Sequence, residues 1–286
     1  MPRVSVIIPC YNHGEFISDA VKSIINQTYQ DFEIIIINDG SDDDYTNKIL
    51  SSNMNFEKTK IINTSKVGVS KARNIGIQDS KGDYILTLDA DDWFENTFIE
   101  KAVPILDSDD KIGVVTCGIR YFGEENLTVY PKGGGIKNFL LINNACGNSL
   151  FRKECWFDVG GYDESFVYGF EDWEFWISVT EQGWEVYVIP EILFNYRKHG
   201  VSRDNKANEM EIELFSAIFQ KHRQTYYNYF DEIIINLKKS NNLLKHNLNK
   251  TIKSKSFFSV HTPIRIFKWM KNKIKLIEYV IDTQFK

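Results

Sequence analysis

The stretch Phe32-Glu33-Ile34-Ile35-Ile36-Ile37-Asn38 (FEIIIIN) sets four isoleucines in a row and stops on a polar residue. A run that is short, almost wholly apolar and β-branched suits a strand covered on both faces of a sheet, whereas a strand with one wet face would alternate. Val4 to Pro9 (VSVIIP) reads the same way, and Tyr84 to Leu88 (YILTL) looks like a further strand. Between these runs Ile17, Ala20, Val21, Ile24 and Ile25 recur at helical spacing, and Val69, Ala72, Ile75 and Ile77 do so ahead of the last run. Strand, helix, strand, helix predicts right-handed crossovers and a largely parallel α/β sheet, with ligands at the carboxyl ends of its strands. A polar cluster follows each run: Pro9-Cys10-Tyr11-Asn12, then Asp39-Gly40-Ser41-Asp42-Asp43, then Asp89-Ala90-Asp91-Asp92. The three are therefore expected on one rim.

The 286 residues, 43% hydrophobic and 26% charged, have the composition of an ordinary globular protein. No apolar stretch approaches the roughly 20 residues that span a bilayer, and the first residues lack the basic and apolar regions of a signal peptide. A cytoplasmic chain not integral to a membrane is the expectation. Cys10, Cys117, Cys146 and Cys155 show no CxxC spacing and read as reduced structural thiols. Further along, a strand is expected over Ile112 to Tyr121, a Gly-rich turn at Gly133-Gly134-Gly135, a helix over Glu171 to Glu181, and short apolar runs around Val186 and Leu193. After about Asn205 the chain becomes helical in character, which divides it into a domain over 1–204 and a basic helical region over 205–286. From Lys245 to Lys286 ten Lys and Arg stand against Glu278 and Asp282, so this segment carries +8 of a net charge of -5 and leaves -13 on the rest. Nucleic-acid binding fits poorly with an acidic body and a terminal cluster of charge.

Three carboxylates within four residues raise a question of their own. Where a strand ends, positions i and i+2 point to the same side, so Asp89 and Asp91 can face one ligand while Asp92 turns away. Two carboxylates this close raise each other's pKa unless a cation offsets the repulsion, and Mg²⁺ or Mn²⁺ held by one or two carboxylates and substrate phosphates does that. The other reading is an N-cap, Asp91 or Asp92 opening a helix that begins at Trp93 and Phe94.

Several separated motifs bear on this choice. VSVIIPCYN, IINDGSDD, KVGVSKARNIGI, LTLDADDW, GGYDESFVYGFEDWEFW and YRKHGVS, in this order from Val4 to Arg203, resemble glycosyltransferase family 2, with its GT-A fold. The resemblance implies a nucleotide-sugar donor, with uridine favoured, a divalent metal (Mn²⁺ or Mg²⁺), inversion at the anomeric carbon and a hydroxyl acceptor on a saccharide or lipid-linked saccharide of surface polysaccharide synthesis. It implies that Pro9, Tyr11, Asn12 and Glu15 shape the nucleotide pocket, that Asp39 accepts from the uracil imide with Ser41 nearby, and that Arg73 lies beside the base. Asp89 would contact the ribose or a metal-bound water, Asp91 would bind the metal, and His199 would add a metal ligand or contact the diphosphate. Taken singly these residues also suit turns, a surface ion pair and a solvated histidine. Their joint order is what favours function.

Inverting transfer needs a carboxylate on the acceptor side. In Phe170-Glu171-Asp172-Trp173, which resembles the family's ED motif, Asp172 is the candidate base and Glu171 would orient it or the acceptor; both acids also suit the first turn of a helix. Trp173 and Trp176 either stack on sugar rings or pack that helix. The segment Asn144 to Leu150 (NACGNSL) resembles the acceptor side without assigning a contact. From Pro263 onward Ile264, Phe267, Met270, Ile274, Ile277 and Ile281 recur near helical spacing among Arg265, Lys268, Lys271 and Lys275, which suits a helix on the inner face of an anionic membrane, or one packed on the catalytic domain or a second subunit. Two rivals are a nucleotidyltransferase, although no Gly-rich loop bearing Arg or Lys follows the first strand, and a non-catalytic nucleotide-sugar-binding module. A dehydrogenase is disfavoured because no GxGxxG follows a strand.

Overall fold

The computed structural model describes residues 1–52, 58–199 and 203–253. The isoleucine run forms β2 (Phe32–Asn38), paired in parallel with β1 (Val4–Cys10) on one side and β3 (Thr59–Asn63) on the other, with Ile34 to Ile37 all buried. β1 pairs in parallel with β4 (Tyr84–Thr87) on its second edge. Val4 lies opposite both Phe32 and Tyr84, so the carboxyl ends of these strands finish at one rim. Pro9 sits beyond the last β1–β4 pair, Ile7 with Thr87, where that ladder has ended.

The helices α1 (Ile17–Ile25), α2 (Asp44–Ser51) and α3 (Val69–Asp79) connect the parallel strands. α1 buries Ile17, Ala20, Val21 and Ile24, the stripe that the spacing predicts. α3 lies close on the sheet, since a Cβ at Gly76 would stand 2.6 Å from Ile7 Cγ2. The elements α2 and β3 are additions to the expected order. β3 is only half-buried and α2 is short and largely polar, so neither carries a strong apolar signal.

The sheet runs β3-β2-β1-β4-β8-β6-β9-β5, using β5 (Trp93–Phe94), β6 (Ile112–Gly123), β8 (Leu150–Arg152) and β9 (Glu185–Lys198), while β7 (Leu127–Val129) pairs with β6. β8 is antiparallel to β4 and β6, whereas β6 and β9 run parallel over their length. The apolar runs around Val186 and Leu193 are thus one strand, whose register shifts where Pro190 and Glu191 form a bulge. Trp93 and Phe94 correct the helix expected there: they pair antiparallel with Asn195 and Phe194, and the helix, α4 (Phe98–Ser108), starts four residues beyond Phe94. Two further helices, α5 (Lys153–Val159) and α6 (Glu171–Glu181), follow β8. All four cysteines are buried and unbridged.

The chain divides into a unit of Met1–Tyr229 and a unit of Phe230–Lys286. The first holds the sheet together with α7 (Arg203–Glu209), α8 (Glu211–Lys221) and α9 (Arg223–Asn228). The second contains α10 (Phe230–Lys253). The helix expected from Pro263 lies outside the described residues. Among those described, no helix is long and apolar enough to cross a membrane.

Candidate active site

Asp39 follows β2 directly and is buried, so its carboxylate must find donors. It accepts from the backbone amides of Val67 (2.6 Å) and Gly68 (2.8 Å) and from Thr64 Oγ1 (2.7 Å), drawing the loop after β3 around itself. Gly68 then opens α3 at φ 91°, a conformation that glycine adopts at little steric cost. Across from it, the loop after β1 is sewn to the loop after β2. Tyr11 donates its hydroxyl to Asp42 (2.8 Å), Asn12 Nδ2 donates to Asp42 (2.6 Å), Asn12 Oδ1 accepts from the Asp42 amide (3.0 Å), and the Asn12 amide donates to Ser41 Oγ (3.1 Å). The bonds from Asn12 and Tyr11 hold the Asp42 carboxyl below the usual carboxylate range. Lys66 Nζ lies 4.2 Å over the Tyr11 ring. Asn12, Gly14, Glu15, Asp43 and Tyr45 line a hollow of about 270 Å³. Tyr11, Asn12, Asp39 and Ser41 are therefore brought to one rim, with Glu15 exposed at its edge and Pro9 in the strand below.

The turn after β4 sends its three acids in three directions. Asp91 reaches His199 Nε2 (3.0 Å) and His13 Nδ1 (3.8 Å), and one ligand atom from each of these residues lies within 4.8 Å of the other two. Asp92 turns inward, as the alternation predicts, and accepts from the Arg197 amide at 2.7 Å. Burial, then the charges of Asp91 and Asp89, push its carboxyl well above the usual range, which suits a neutral strut. Arg197 completes the clamp: its Nε donates to the Asp91 carbonyl (2.9 Å) and its guanidinium lies over Phe16 (4.5 Å) and Phe122 (4.9 Å). The end of β9 is thereby pinned to the acidic turn, and His199 with it. Asp89 leaves the histidine cluster aside, accepting instead from Arg73 (2.8 Å), while its amide donates to Asn148 Oδ1 (2.9 Å). Two imidazoles and one carboxylate form a mixed nitrogen and oxygen set that fits a first-row ion such as Mn²⁺ better than Mg²⁺, which prefers oxygen ligands alone.

On the opposite side α6 begins at Glu171, after Phe170 at φ 63°. Arg73, only 1% exposed, donates to Glu171 (3.0 Å) and to Asp89 (2.8 Å) and lies 5.5 Å over the Tyr162 ring. Its guanidinium is thus turned to these two carboxylates. Asp172 is half-buried and accepts from Asn143 Nδ2 at 2.8 Å. Burial first, and the negative charge of Glu171 second, lift its carboxyl to about 6. Trp173 and Trp176 are core residues, and the Trp173 indole donates to the Phe139 carbonyl at 2.6 Å, so packing rather than sugar stacking is the role the structure gives them. Sequence reasoning missed His13, Asn143, Asn148 and Arg197. Only Asn148 and Arg197 carried a signal, by lying inside NACGNSL and YRKHGVS.

The Glycosyl transferase family 2 model matches residues 5–161 of this sequence. An uncharacterized glycosyltransferase of Haemophilus influenzae is 29% identical over 98% of this chain and 97% of its own length. Another, of Rickettsia prowazekii, is 30% identical over 77% of this chain and 72% of its own. Among solved structures, S. aureus TarS 1-349 in complex with UDP-GlcNAc superposes with a TM-score of 0.61 at 17% identity, over 71% of this chain and 60% of that one. A Pyrobaculum calidifontis mannosyltransferase in complex with GDP-Man and Mn²⁺ gives a TM-score of 0.54 at 18% identity, over 68% of this chain and 56% of that one.

Proposed function

This chain belongs to glycosyl transferase family 2, and from that premise we propose that it moves a sugar, with inversion, from a UDP-linked donor to a hydroxyl of a saccharide or lipid-linked saccharide acceptor. The protein is a glycosyltransferase with the GT-A fold. The observation that supports the finer reading is the run of contacts from Asp89 through Arg73 to Glu171, which leads from the donor rim to the neighbouring Asp172, whose carboxyl is lifted to about 6. Tyr11, Asn12, Glu15 and Ser41 shape the nucleotide pocket above Pro9, Asp39 accepts from the base imide, and Asp89 meets the ribose. Uridine is favoured by the family resemblance and by the UDP-GlcNAc complex of one neighbour, while the GDP-Man complex of another is the alternative.

The acceptor oxygen attacks C1 of the donor sugar, its proton passes to Asp172, and the bond from C1 to the diphosphate oxygen breaks, releasing the nucleoside diphosphate. A group with its pKa near 6 is ionised at neutral pH and still basic enough to accept the proton as the bond forms. Asn143 aims the carboxyl, and Glu171 holds the first turn of α6 through Arg73. His13, Asp91 and His199 would hold the divalent ion, which when bound offsets the charge that develops on the leaving diphosphate. Surface polysaccharide synthesis, with the protein at the inner face of a membrane, is the setting this reading suits.

Incubating the protein with Mn²⁺ and a panel of UDP-sugars tests it. UDP release with an inverted anomeric configuration, seen by NMR, is the expected result. Release of pyrophosphate would establish a nucleotidyltransferase instead, and tight UDP binding with no turnover of any donor would establish a binding module.

A further inference from the structure

A guanidinium is always charged, and removing it from water costs several kcal/mol unless carboxylates compensate. Arg73 is buried in full, and the compensation comes from two distant parts of the chain, Asp89 at the end of β4 and Glu171 at the start of α6. Nη2 serves the first and Nη1 the second, so the planar fork spans a gap that a single ammonium could not bridge with the same geometry. Its Cα is fixed as well, because Ala72 and Gly76 press the same helix onto the sheet. In the reading proposed above, Asp89 belongs to the donor side and Glu171 to the acceptor side. Glu171 is covalently next to Asp172, and its charge acts on that carboxyl group.

We infer that Arg73 is a positioning residue for transfer: it straps the donor-side carboxylate Asp89 to the acceptor-side pair Glu171 and Asp172, and holds Asp172 charged and aimed. The inference rests on the reading of Asp172 as the base. Glu171 pushes the Asp172 proton affinity up and Arg73 pulls it down, so a charge on each side of the strap acts with opposite sign. The other groups that face Asp172 are Asn143, which is neutral, and Tyr162 and Cys146, both driven by burial well above neutral pH and uncharged there. Arg73 is therefore the cation that draws this carboxyl down, against burial and Glu171.

The test is a ¹³C NMR titration of the Asp172 carboxyl in the full chain, assigned with Asp172→Asn, beside kinetics of donor turnover. Arg73→Gln should raise the Asp172 midpoint by roughly one unit or more, the size expected for losing a nearby opposite charge. Glu171→Gln should lower it, and the double variant should lie above Glu171→Gln and near the parent. The kinetic counterpart is a fall in kcat with little change in the donor KM and an acid limb that moves with the NMR midpoint. If Arg73→Gln does not fold, the comparison of Glu171→Gln with the double variant, in which only the partly exposed Asp89 loses its cation, still reads the effect of Arg73. Equal midpoints in those two proteins would overturn the inference, as would lost turnover with an unmoved acid limb. Its failure is separable from that of the base assignment: parental turnover in Asp172→Asn would remove the base while leaving the measured coupling intact.

Discussion

At Asp172 the decisive quantity is a proton affinity. The carboxyl lies near 6, above the ordinary aspartate value, so below that pH it is protonated and unable to act as the proposed base. With the divalent ion kept saturating, turnover should fall as pH drops through about 6, by roughly tenfold for each further unit. A profile flat from pH 7 to pH 5 would exclude Asp172 as the titrating base. Asp172→Asn should cost on the order of 10²- to 10⁴-fold in kcat, with UDP affinity close to that of the parent by calorimetry. His13 carries a second prediction at this scale. His13→Ala should weaken Mn²⁺ binding, read by EPR of the free ion, by at least the roughly 10- to 100-fold that loss of an outer-shell partner costs. None of this was visible in the sequence around His13, because its meaning depends on the far end of β9 folding back to bring His199 alongside. Arg73 was named by the resemblance, but as a neighbour of the nucleotide base; its partners were opaque, since a charged residue on a helix reads as a surface group until two remote carboxylates close on it.

Among the elements, α6 carries the proposed base and α8 holds α6 in place. His222, at the end of α8, bonds Glu174 (3.1 Å) and Glu181 (2.9 Å), and Lys221 Nζ adds Glu174 (2.8 Å) and Asp163 (2.6 Å). Burial opposes the charge on His222, but the bonds to Glu174 and Glu181 outweigh it and lift the imidazole to about 9. A folded-state pKa above the unfolded value of 6.5 stabilises the protein fully below 6.5 and loses that contribution as pH rises through about 9. Stability should therefore decline between those limits by on the order of 3 kcal/mol from this group. His222→Gln should flatten that decline in thermal melts followed by circular dichroism. The bend before β8 offers a sharper geometric test. A Cβ at Gly147 would stand 3.0 Å from Asp172 Oδ2, so Gly147→Ala should reduce kcat with little effect on the melting temperature. Elements buried on both faces, such as FEIIIIN, announced themselves by composition alone. The edge strand β3 and the short strand β5 did not, since β3 is half-wet and Trp93-Phe94 is as compatible with a helix start as with a strand.

For the molecule as a whole, the parallel half of the sheet and the order of its polar loops were legible because burial and crossover handedness restrict both. Less legible was where the catalytic unit stops: the change of composition near Asn205 lies within the first unit, which runs to Tyr229. Tyr226 is buried and donates to the Leu140 carbonyl at 2.7 Å, and Ile218 is fully buried, so α8 and α9 complete the core around α6. A chain ending at Tyr229 should fold cooperatively and keep donor turnover, whereas one ending at residue 204 should lose both. The measurement that bears most directly on the central claim is calorimetric titration of UDP with Mn²⁺, and then with chelator, into the parent protein and Asp91→Ala. Binding that needs the ion and disappears in the variant is the predicted result. Equal UDP binding with and without the ion, or an undiminished affinity in Asp91→Ala, would contradict a metal-diphosphate site at this turn.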